Sequence, residues 1–139
     1  MTAPSGAAFL FGVPAYAAVA RVLLATGAPE RGEALLLPVR DAASRSGWWE
    51  ALAMSELVLG LCLQERGEGD RAAAALTHAA ELADRHGIPA TGWEAHAALA
   101  RLGDDSTRHL AAAEAIVIRI AAEVKDLTLQ ESLRERAKM

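Results

Sequence analysis

The stretch Leu57-Val58-Leu59-Gly60-Leu61-Cys62-Leu63-Gln64-Glu65-Arg66-Gly67 decides the fold. It repeats, forty residues on, the pattern that ends at Gly27: Leu59 answers Val19, Leu63 answers Leu23, and Gly67 answers Gly27. The echo continues past the glycine. Leu76 matches Leu36, Ala83 matches Ala43, and Arg85-His86-Gly87 matches Arg45-Ser46-Gly47. A fixed period of roughly 20–50 residues marks stacked supersecondary units, because one helical hairpin cannot bury its apolar face alone.

Composition supports an all-α chain. Apolar residues make up 53% of the 139, yet aromatics only 4%, so alanine and leucine supply the hydrophobicity. Both favour helix, and small alanines let helices approach closely. The length suits a single domain, residues 1–139. Net charge is −4, and basic residues are interleaved with acidic ones. Phosphate neutralisation needs clustered cations, so a nucleic-acid partner is not expected. Arg greatly outnumbers Lys, since Lys125 and Lys138 are the two lysines; with the alanine load this suggests a GC-rich bacterial genome. Cys62 stands alone in an apolar run, and reads as a buried small hydrophobe in a reducing, cytoplasmic setting.

Residues 6–20 carry no charge, and Ala15-Tyr16-Ala17 imitates a leader cleavage site. No Lys or Arg precedes this stretch, Pro14 interrupts it, and Arg21 ends it short of a membrane span. A first helix is expected there, with no leader and no membrane segment.

Pro14 suits the first turn of a helix running to about Thr26, with Gly27 as its stop. A second helix runs from Pro29 to Ser46, kinked or broken at Pro38. A third spans Trp48 to Arg66, and a fourth runs from an Asp70 cap to His86. Thr91-Gly92-Trp93-Glu94 reads as a capping box opening a fifth helix that ends at Gly103. Asp104-Asp105-Ser106 offers a cap for a sixth, which runs to about Lys125. Asp126 and Thr128 mark a junction before a short seventh helix, whose polar residues cap the array. Short loops make neighbouring helices antiparallel.

Leu59-Gly60, Leu63, Gly67, Ala72, Leu76 and Ala79 together resemble the tetratricopeptide repeat. Gly60 and Ala72 match its small residues at the hairpin crossing. The period of forty is longer than the motif's usual length, and Glu56 and Leu63 stand where the motif carries aromatics. The longer period is similar to repeat regions in large bacterial signal-transduction ATPases, transcriptional activators and cyclase-linked regulators. The resemblance implies about three antiparallel hairpins plus a C-terminal helix. It also implies a scaffold, either a C-terminal piece of a multidomain regulator or a small free-standing relative.

Chemistry is not expected. His78 and Glu81 share a helix face, but no second His follows at the ligating interval and no Cys pair completes a site. The four histidines are therefore expected in solvent, and no metal or other cofactor is foreseen. The acidic pairs Glu65/Glu68 and Asp104/Asp105 fall at helix ends, where capping explains them. Gly67-Glu68-Gly69 lacks the rest of a phosphate loop. No catalytic residues are assigned.

Interaction is the remaining reading. Trp48 and Trp49 open the third helix and Trp93 the fifth. Adjacent helical residues point about 100° apart, so one of the first two is expected inside and the other near the surface. Both roles, junction packing and partner contact, fit tryptophan. The first helices of the hairpins should form an inner face with Ala17, Arg21, Leu24, Met54, Leu57, Leu61, Gln64, Trp93, Ala97 and Arg101, apolar at its centre. At the N-terminal end Phe9, Phe11 and Tyr16, with Val19 and Val22, leave an uncapped apolar surface. The expected function is protein–protein interaction or regulatory coupling. The rivals are a homodimer joined near Phe9–Val22 and an effector-sensing module with a ligand in the inner groove.

Overall fold

The computed structural model describes residues 12–103 and 105–138. Those residues form six α-helices and no strand: α1 (Val13–Ala25), α2 (Pro29–Ser46), α3 (Trp49–Glu65), α4 (Gly69–His86), α5 (Pro89–Leu102) and α6 (Ser106–Lys138). None is long and apolar enough to cross a membrane. Each helix packs on the next, and α3 also packs on α1 and α5. The first four turns are alike. Gly27, Gly47, Gly67 and Gly87 fall twenty residues apart and all take positive φ, between 67° and 84°, a backbone state open to glycine at little cost.

Several local signals act differently from the sequence expectation. Pro38 does not break α2, which runs through it. The carbonyl that Pro38 leaves without an N–H belongs to Ala34, and both residues are exposed, so water can serve it. The Asp70 cap and the Thr91–Glu94 capping box do not form. α4 starts one residue before Asp70 and α5 starts at Pro89, both without side-chain caps. Proline at the first position of α5 sets the start, which places Thr91 inside the helix and buries it. Asp104 lies outside the described residues. Beyond it the expected junction at Asp126 and Thr128 is absent, and one helix of 33 residues replaces two. The Thr128 hydroxyl donates to the Val124 carbonyl at 2.9 Å, so it is accommodated without breaking the helix.

Residues at forty-residue intervals are buried alike. Leu36, Leu76 and Ile116, forty residues apart, are 0%, 0% and 4% exposed on α2, α4 and α6. Eleven of the 17 residues of α3 are buried. Two glycines make the closest approaches. A Cβ on Gly32 would lie 2.8 Å from Cys62 Sγ and 3.4 Å from the Ala20 carbonyl oxygen. A Cβ on Gly60 would lie 2.6 Å from Leu76 Cγ, so Gly60 meets α4 at Leu76, one turn beyond Ala72. Ala72 is fully buried in the cluster with Leu36, Leu59 and Leu63.

In Gly60→Ala overpacking against Leu76 costs about 1–3 kcal/mol and helix propensity offsets about 1 kcal/mol, so stability should fall by up to about 2 kcal/mol. Denaturant unfolding of Gly60→Ala checks this. A variant more stable than the parent, as propensity alone dictates, contradicts the close crossing.

Candidate functional site

The expected inner face is not an exposed apolar patch. Leu57 is 2% exposed and belongs to the core with Leu76, Ala79 and Leu99, and Ala17 is buried as well. Met54 and Leu61 are half-buried and pack against core clusters. Tyr16 is likewise half-buried between two clusters. Arg21 and Arg101 are exposed, and Arg21 pairs with Glu94 of α5 at 3.1 Å. Phe9 and Phe11 lie outside the described residues. The tryptophans stand at the surface: neither Trp48 nor Trp49 is buried, and Trp93 is 42% exposed. Trp49 stacks on His86, ring centroids 5.4 Å apart and planes within 10°, which ties the start of α3 to the end of α4.

Two polar groups that α3 and α5 bury, Glu56 and His96, were not expected from sequence as site residues. Glu56 and His96 are forty residues apart and occupy matching places on these two helices. Each floors a groove between the flanking even-numbered helices. Glu56 lies under a cavity of about 270 Å3 lined by Arg40 of α2 and by Arg71 and His78 of α4. His96 lies under one of about 480 Å3 lined by Glu81 and Asp84 of α4 and by Arg108, His109 and Arg119 of α6.

In the second cavity two histidines expected in solvent are 8% exposed each. Their Nδ1 atoms are 3.0 Å apart, and His96 Nε2 lies 3.3 Å from Asp84 Oδ2. The contacts fix a consistent set of tautomers. With Nε2–H of His96 donated to Asp84, His96 Nδ1 accepts from Nδ1–H of His109. The result is a carboxylate–imidazole–imidazole chain across α4, α5 and α6. Burial lowers the His109 pKa, and the charges of His96 and Arg108 lower it further, against an opposing pull from Asp105.

In the first cavity Glu56 has a side chain 6% exposed. Its Oε2 lies 3.1 Å from His78 Nδ1. Its Oε1 accepts no hydrogen bond among the described residues, and Arg40 Nε stands off at 3.5 Å. Burial pushes the Glu56 carboxyl up, outweighing the hydrogen bond from His78 and the charge of Arg40. A third buried acid, Glu33, behaves oppositely. Burial also works against its charge, but hydrogen bonds and charge from Arg71 and Arg66 outweigh burial and hold its pKa below the usual carboxylate range. This group fastens α2 to the turn between α3 and α4. Cys62 is fully buried, and burial and Glu33 both push its thiol pKa up, away from reactive thiolate character.

The sequence marks Glu56 only as a departure from the repeat motif and places the histidines in solvent, because the partners of these groups come from other helices, 12 to 38 residues away. The forty-residue register aligns Glu56 with His96, but residue type changes between them and hides the shared role.

The histidine chain makes stability pH-dependent in a stated direction. A folded pKa below the ordinary 6.5 of histidine means that the unfolded chain binds this proton more readily. The contribution is complete above about pH 6.5 and is lost as pH falls toward the lowered folded value. His109→Gln should therefore lose less stability than the parent between about pH 7.5 and 5.5, read from urea midpoints at each pH. Equal losses contradict the assignment.

No family model, curated protein or solved structure matches the chain.

Proposed function

We propose that this chain is a cytoplasmic protein–protein interaction module, a regulatory scaffold built from tetratricopeptide-like hairpins and related to bacterial signalling or transcriptional regulators. Support for the architecture comes from the equal turns, the contacts of α3 with both α1 and α5, and the small residues at Gly32 and Gly60. One observation carries the interaction reading. α6 extends about 50 Å at 1.5 Å per residue, against about 21 Å for its partner α5. Every residue from 121 to 138 is exposed, including Val124, Leu127, Leu129 and Leu133 at 55–60%. Apolar side chains held out on a helix that none of the described residues covers are suited to receiving another protein surface.

The partner proposed is a second copy of the chain, with the Phe9–Val22 segment at or near the interface. Val19 and Val22 on α1 are 52% and 60% exposed, so both ends of the array offer apolar residues. Pairing about a twofold axis is the commonest way to close such surfaces. No catalytic step forms part of this reading.

Light scattering of the full chain at micromolar concentration should give twice the 14.6 kDa chain mass. Val22→Glu should shift it toward monomer by more than about tenfold in dissociation constant. A strictly monomeric parent, or a dimer indifferent to Val22→Glu and to Leu127→Glu, overturns self-association through these ends.

A further inference from the structure

We propose that the cavity over Glu56 binds a small zwitterion of the α-amino-acid class, with Glu56 receiving the ammonium group and Arg40 the carboxylate. This inference is independent of the interaction reading, since it concerns the groove between α2 and α4 and neither end of the array.

The starting point is an unsatisfied acceptor. Glu56 is buried, its Oε2 is engaged by His78, and its Oε1 accepts no hydrogen bond among the described residues. Oε1 has a long ion contact with Arg40 Nε at 3.5 Å and no hydrogen bond; a buried carboxylate oxygen without one is costly, and a donor that fills it recovers that cost. Glu56 lines open space of about 270 Å3. That is below the range of about 300–1,000 Å3 for drug-sized sites, so the occupant is small. Oε1 itself is covered, with Arg40 Nε 3.5 Å away, so a donor from the cavity reaches it once Arg40 moves aside.

Charge selects its class. Arg40, Arg71 and His78 surround the mouth. A simple cation would meet Glu56 favourably but approach two guanidinium groups. A simple anion would suit the arginines but face the Glu56 carboxylate. A molecule carrying both charges satisfies each.

Arg40 is the arginine able to turn to a ligand. Its contacts are all long, 3.3 and 3.4 Å to Asp41 Oδ1 and 3.5 Å to Glu56 Oε1. Arg71 is held instead by Glu33 at 2.8 Å and by Glu68. The ammonium takes the place beside Oε1 that Arg40 Nε now approaches, and the displaced guanidinium closes on the ligand carboxylate, a geometry suited to its planar fork. The matching cavity over His96 lacks this feature, because both His96 ring nitrogens already have partners.

Calorimetric titration and thermal melting of the full chain at pH 7, with individual amino acids up to about 10 mM, test the proposal. At least one should bind saturably and raise the melting temperature. Its N-acetyl and its amide derivative, each lacking one charge, should bind at least about tenfold more weakly. Glu56→Gln and Arg40→Gln should each weaken binding about tenfold or more, with far-UV circular dichroism unchanged. Three outcomes overturn the proposal: no amino acid binds; binding survives both substitutions; or acetate or methylammonium alone binds as tightly as the zwitterion. Arg40 is partly exposed, so Arg40→Gln keeps the test decisive if Glu56→Gln alters the fold.

Discussion

The structure depends on burying α3 on nearly all sides. This helix touches α1, α2, α4 and α5, and its buried residues follow one another almost without interruption from Ala51 to Leu63. A helix apolar all round can be stable in a small domain only if neighbours cover it completely. Gly60 and Gly32 supply the necessary closeness, since a methyl group at either would run into Leu76 or Cys62. The three core clusters meet along α3, each including at least one of its residues. Turns of equal spacing then bring the other helices around it in order.

Full burial has a polar consequence. Ser55 and Glu56 lie on α3 and are buried with it, so their polar atoms need partners. The Ser55 hydroxyl donates to its own helix, to Leu52 O at 3.0 Å. Glu56 must look outward, to α2 and α4, and is hydrogen-bonded on one oxygen alone, the other having only the long ion contact with Arg40. At the matching place on α5, His96 is served on both sides by residues of α4 and α6. The two grooves thus share a frame and differ in what they leave available. One is a closed imidazole–carboxylate chain, and the other leaves a buried carboxylate oxygen without a hydrogen bond beside a cavity.

Much of the framework was legible because it rests on local, periodic signals. The glycines that end α2 and α4 are punctuation that any neighbouring sequence would respect. Leu36, Leu76 and Ile116 repeat as core residues. Helix starts were less legible, since proline at the first position of α5 prevailed over a side-chain cap two residues later. The length of α6 was misjudged because Asp126 and Thr128 interrupt an apolar pattern without interrupting a helix that has good helix formers on both sides. The polar sites were the least legible part. Glu33, Glu56, His96 and His109 look like surface residues until the helices that bury them are in place, and solvent exposure is the normal fate of such residues.

Native-state hydrogen exchange measures most directly whether the array is organised about a buried α3. Amides of α3 between Leu52 and Leu63 should exchange last, at the rate set by global unfolding. Those of α1 should open earlier, and those of α6 beyond Val124, where no other helix of the described residues packs, should exchange first. Exchange in α3 as fast as in α1, or protection in the end of α6 equal to that of α3 in a monomeric sample, would contradict a fold held together by that helix.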